Sequence, residues 1–192
     1  MKKIFSSVCA ILLLAASAPA ATILFDLQGR SGLGMRFNNE NPSATGTGTG
    51  GENGTGIRYD NVTKILTLNV GWGSGKGFTN LTGIVTNARL FAAADSLFTT
   101  NGAVIFNLDG ATAGFDSSAT NGGWTNTVVT LTAAQETQLL NGQFYLNAHT
   151  AANTAGEIRA NLVQAPAVPE PASLGLLTLG ALTLLRRRCR RA

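Results

Sequence analysis

Short β-prone stretches alternate with turn-forming clusters along most of this chain, and that spacing limits its fold more than any other feature. The stretches are Thr22 to Leu27, Ile57 to Tyr59, Ile65 to Trp72, Gly83 to Phe91, Ala103 to Leu108, Thr125 to Leu131, Gln143 to His149 and Glu157 to Val163. Several alternate with period two, so that Leu66, Leu68 and Val70 share a face, as do Val104, Phe106 and Leu108. The same holds for Phe144, Leu146 and Ala148, and for Ile158, Ala160 and Leu162. One apolar and one polar face is the pattern of a half-buried antiparallel strand. Asn101-Gly102, Asp109-Gly110 and Asn121-Gly122 supply turn dipeptides. An all-β, antiparallel β-sandwich or Ig-like partly closed barrel is the expected class.

One short helix interrupts the strands. Thr132 to Gln135 has the spacing of a capping box, Leu139 and Leu140 offer a buried contact, and Gly142 can take the left-handed conformation that ends a helix. Residues 41 to 56, rich in Gly and Thr, predict a flexible surface loop. Only Glu52 there offers a carboxylate, too few for calcium, and no helix follows its glycines to present an N-terminus to phosphate.

Both ends carry sorting chemistry. Lys2 and Lys3 precede an apolar run from Val8 to Ala16, and Ala18-Pro19-Ala20 then provides the small residues that a signal peptidase reads. Residues 1–20 are thus the expected signal peptide. At the other end, Pro169, Glu170 and Pro171 precede an uncharged run from Ala172 to Leu185, and Arg186, Arg187, Arg188, Arg190 and Arg191 follow it. As a helix that run of 14 residues reaches only about 21 Å, short of the roughly 30 Å hydrocarbon core. The arginines favour retention at the cytoplasmic side, giving a hydrophobic anchor helix that spans poorly. Residues 166–192 resemble the PEP-CTERM sorting tail of bacterial exported proteins. The resemblance implies transient inner-membrane anchoring and removal by an exosortase-type enzyme cutting near the tripeptide. An uncleaved C-terminal anchor is the alternative reading of the same residues.

The ends also distort the charge. Of the 14 basic residues, seven are Lys2, Lys3 and the five terminal arginines. Between Ala21 and Val168, seven basic residues meet nine acidic ones, a net charge of −2. No polycation for nucleic acid remains in the mature part. Both cysteines, Cys9 and Cys189, fall in the terminal segments, so residues 21–165 must fold as one domain without a disulfide.

The densest constellation lies between Asn141 and Leu162, where two strands flank a loop at Thr150 to Gly156. Period-two alternation places Phe144, Leu146, Ile158 and Leu162 toward the core. It puts Tyr145, Asn147 and His149 outward, opposite Glu157, Arg159 and Asn161. Asn147-Ala148-His149-Thr150 and Gly156-Glu157-Ile158-Arg159 resemble the ending of the CHRD domain, first named in chordin and also found in microbial secreted proteins. Asn39-Glu40-Asn41-Pro42 is similar to that family's Glu-x-Pro segment, and Asn101 to Leu108 to its middle strand. Many members carry a His-x-His-like segment after Val-Thr-x-Ala, whereas this chain has Val85-Thr86-Asn87-Ala88-Arg89-Leu90-Phe91.

With His149 the sole histidine and no thiol in the mature part, no metal site or cofactor is expected. His149 is expected to be structural, bonded to Glu157 or to a loop carbonyl. No Gly-x-Ser-x-Gly elbow occurs, and no histidine is left to activate a serine. The expected function is an exported surface or extracellular-matrix protein with a structural or adhesive domain, not an enzyme. A carbohydrate-binding module for exopolysaccharide, stacking on Trp72, Trp124, Phe78, Phe91, Tyr59 or Tyr145, is one alternative. A metal-dependent redox domain that has lost its ligands is the other.

Overall fold

The computed structural model describes residues 22–37, 46–92 and 101–166. The expected signal peptide, the Asn39-Glu40-Asn41-Pro42 segment and the sorting tail, including Pro169 to Pro171 and the terminal arginines, lie outside the described residues. In chain order the strands are β1 (Thr22–Gly29), β2 (Gly32–Leu33), β3 (Arg36–Phe37), β4 (Gly50–Glu52), β5 (Ile57–Asp60), β6 (Ile65–Trp72), β7 (Val85–Ala92), β8 (Ala103–Asn107), β9 (Phe115–Asp116), β10 (Gly123–Thr130), β11 (Phe144–Thr150) and β12 (Ile158–Gln164). The helix α1 (Ala133–Leu140) joins β10 to β11. All eight strands expected from alternation are present, most shifted by one or two residues at an end.

These strands form one continuous sheet in the order β8-β7-β11-β12-β1-β5-β6-β10-β9, with every pair antiparallel. The sheet curls until its two ends meet. Val85 N donates to Ser117 O at 2.8 Å, Leu81 N to Ala119 O at 3.1 Å, and Trp124 Nε1 to Leu108 O at 2.9 Å. The result is a partly closed barrel, one of the two architectures that the pattern allowed.

One core fills it. Leu27, Tyr59, Leu66, Leu68, Trp72, Leu90, Phe144, Leu146, Ile158 and Leu162 are all 0 % exposed. Trp72 and Trp124 meet edge to face with centroids 5.1 Å apart, a geometry that aligns one ring's positive edge with the other's negative face.

Two local expectations are corrected. Part of the stretch 41 to 56 is not a surface loop, because Gly50–Glu52 forms β4 and pairs with Val70–Trp72 of β6. Its lack of side chains is what admits it: a Cβ on Gly51 would lie 2.8 Å from the Phe78 ring. In α1 the capping box forms, with Thr132 N donating to Gln135 Oε1 at 2.9 Å and Gln135 N to Thr132 Oγ1 at 3.3 Å. Gly142 takes its left-handed conformation at φ 69°. Leu139 is buried, but Leu140 is 39 % exposed. Neighbouring helical residues point about 100° apart, so a single contact stripe accommodates only one of them.

Candidate functional site

The hairpin β11–β12 lies in the middle of one half of the sheet, with β7 beyond β11. Its register pairs Tyr145 with Asn161, Asn147 with Arg159, and Ala148 with Ile158. On the other side, Tyr145 pairs with Phe91 and Asn147 with Arg89. Alternation therefore sorts two faces across three strands. Leu146, Ala148, Leu90, Ile158 and Ala160 face the core. Arg89, Phe91, Tyr145, Asn147, His149, Arg159 and Asn161 share the opposite face.

That second face is not the solvated surface expected from its polarity. Tyr145 is 1 % exposed, Asn147 5 %, His149 7 %, Arg159 6 % and Asn161 1 %. Residues at the entrance to β8 lie against it, since Gly102 N donates to Tyr145 Oη at 3.0 Å and Arg159 Nη1 to Asn101 Oδ1 at 3.4 Å. The Tyr145 ring stacks on Phe91 at 4.7 Å and carries the Arg159 guanidinium 3.6 Å from its centroid. A planar, weakly hydrated guanidinium suits such a face better than an ammonium. Burial pulls the Arg159 pKa down to about 10 and raises that of Tyr145.

Glu157 departs from the expected placement altogether. It precedes β12 and turns to the other side of the hairpin, where it is 0 % exposed. Its carboxylate accepts from Thr82 N at 2.8 Å, Thr82 Oγ1 at 2.6 Å, Thr150 Oγ1 at 2.7 Å and Asn153 Nδ2 at 3.2 Å. Such charge-assisted bonds are what make burial of a carboxylate tolerable. The ladder slips between His149 and Thr150, which brings the Thr150 hydroxyl to Glu157 and leaves His149 on the opposite face. His149 Nδ1 instead donates to Thr154 O at 2.9 Å, the loop-carbonyl alternative. Burial, the largest influence, holds its pKa below the usual histidine value; the Thr154 bond opposes this, as Asp109 does, while Arg89 reinforces it.

Gly156 completes the hairpin at φ 113°, a conformation L side chains rarely adopt, and a Cβ there would collide with the Asn147 amide. Asn147, His149, Thr150, Gly156, Glu157 and Arg159 are thus all brought together, but on two sides of one strand pair. Thr82 and Asn153 were not singled out by the sequence. Both lie in loops, where periodicity carries no signal.

The donor set does not suit a metal. Among the described residues no three His, Cys, Asp or Glu side chains cluster. Arg89 and Phe91, at the positions of the His-x-His segment, share the face of His149 but present a cation and a phenyl ring. Nor do the aromatics form an external platform: Trp72, Trp124, Tyr59, Tyr145 and Phe91 are buried and Phe78 is partly so.

Residues 35–162 match the CHRD domain family, and residues 167–191 match the PEP-CTERM protein-sorting motif. No curated protein and no solved structure matches the chain. The sorting motif implies export, a transient membrane anchor and processing by an exosortase. Its Pro169, Glu170 and Pro171 precede the uncharged run and the five arginines. The CHRD match takes in about two-thirds of the sequence, from Met35 through both hairpin segments, and the chain belongs to the CHRD domain family.

Proposed function

We propose that this exported domain is a non-catalytic structural or adhesive module of the cell surface or extracellular matrix. Signal peptidase removes residues 1–20, and the tail then delivers the domain through exosortase. The observation that carries the reading is the state of Glu157. It is the carboxylate of the hairpin motif, yet it is fully buried and occupied by Thr82, Thr150 and Asn153. A general acid or base must reach a substrate proton, whereas this group ties a loop to a hairpin. His149, the sole imidazole, has one nitrogen committed to Thr154.

A structural component and an enzyme differ in stoichiometry. Cells lacking the protein are expected to lose attachment or matrix cohesion. Added purified protein should restore it in proportion to the amount bound. Restoration by trace amounts, growing with time at fixed dose, would show turnover and overturn the reading.

A further inference from the structure

We propose that, while the sorting tail holds the chain in the membrane, the barrel end that carries Val62 lies against the lipid surface. The proposal rests on the anchoring stage above and adds which face meets the bilayer.

Register brings both expected processing points to this end. Thr22, the first residue of β1, pairs with Asp60, the last of β5, and Asp60 pairs with Ile65. Residues 61 to 64 turn beyond that pair, with Val62 65 % exposed. Next to them β12 finishes along β1, where Ala165 N donates to Leu24 O at 2.9 Å. The stretch leading to the sorting tripeptide thus departs beside the residue that follows the expected signal peptide.

Covalent reach limits the orientations that the tether allows. Six residue steps separate Pro166 from Ala172, where the uncharged run begins, and they extend no further than about 22 Å. β7 has eight residues and runs the length of the barrel, about 27 Å. The far end therefore cannot reach the bilayer that anchors the near one.

The chemistry of the near end selects it over the side of the barrel. Asp60 is occupied by its own turn, accepting from Val62 N at 2.8 Å and Thr63 N at 2.9 Å. Lys64 Nζ and Glu136 neutralise each other at 2.7 Å. Val62 thus tips a surface whose described charges are already answered, and its approach to lipid strips little water from groups that need it. The outer face of β1, β5, β6 and β10 differs. It carries exposed Leu24 and Val128, but Arg58 stands between them in the same row and Asp26 lies beside Leu24 on β1. Both charges would lose water if the barrel lay on that side.

The test places one fluorophore on the full chain, purified in mild detergent from cells lacking the processing enzyme. The protein is reconstituted into vesicles of phosphatidylethanolamine and phosphatidylglycerol. Cys9→Ser and Cys189→Ser remove the chain's two thiols, and Val62→Cys, Ile84→Cys or Val128→Cys then takes the label. Because β7 is antiparallel to β11, and β11 to β12, Ile84 ahead of β7 stands at the far end. It is 65 % exposed like Val62, and Val128 on the side is 61 % exposed. A nitroxide lipid that quenches on contact should dim the probe at 62 and spare those at 84 and 128. Equal dimming at 62 and 84, or stronger dimming at 128 than at 62, overturns the orientation and leaves the anchor standing. Protein that fails to float with the vesicles overturns the anchoring reading, and the orientation with it. A bright probe at 62 on floating vesicles also overturns the proposal; if Val62→Asp then slows release from cells where Ile84→Asp does not, that end meets the sorting enzyme and not lipid.

Discussion

The Thr82 hydroxyl donates to Glu157 Oε2 at 2.6 Å, joining positions 75 apart in sequence. That bond anchors the loop ahead of β7 to the turn ahead of β12. Glu157→Ala would leave Thr82 N, Thr82 Oγ1, Thr150 Oγ1 and Asn153 Nδ2 without their shared acceptor. The expected cost is about 3 to 5 kcal/mol, read as a lowered midpoint in urea unfolding. A loss below about 1 kcal/mol would show that the carboxylate does not hold the hairpin.

His149 should titrate below the unperturbed value of about 6.5, because burial disfavours its charged form. The unfolded chain then binds more protons than the folded one across the window between the lowered pKa and about 6.5. Stability is therefore fully present above that window and is lost as pH falls through it. NMR titration of this sole histidine checks the direction; a folded pKa above 6.5 would contradict the backbone-bonded neutral ring.

Leu146 and Ile158 are both 0 % exposed in the core, so truncating either to Ala should cost about 2 to 5 kcal/mol. Val128 is 61 % exposed on β10, and Val128→Ala should change stability by less than about 0.5 kcal/mol. Denaturant melts of the three variants compare them directly.

Gly156→Ala should destabilise by more than about 1 kcal/mol, since φ is 113° and the added methyl meets the Asn147 amide. Gly83→Ala is the control, because nothing lies within 4 Å of its Cβ position. Equal melting temperatures for the two variants would mean that the hairpin tolerates a side chain at 156.

Alternation made the long strands legible because each has one face in the core, as Leu66, Leu68 and Val70 do. It could not reveal β2, β3, β4 or β9, each two or three residues long, where period two has no length in which to appear. The capping box was legible because Thr132 and Gln135 interact locally. That Asn147 and Arg159 share a face was legible from the alternation, whereas their pairing in register was not. What failed was the environment of the polar face: alternation separates Asn161 from Leu162 but does not say what lies above Asn161. The Glu157 turn was hidden for a related reason, since the slip between His149 and Thr150 breaks the period at the point where the prediction relied on it.

Cell fractionation of the full chain beside a form lacking Pro169, Glu170 and Pro171 tests the exported, tail-sorted destination most directly. The deletion removes the recognition element but keeps the uncharged run and the five arginines. The expected result is that the intact chain reaches the cell exterior while the deleted form stays in the inner membrane. Equal release of the two forms would contradict sorting through the tripeptide.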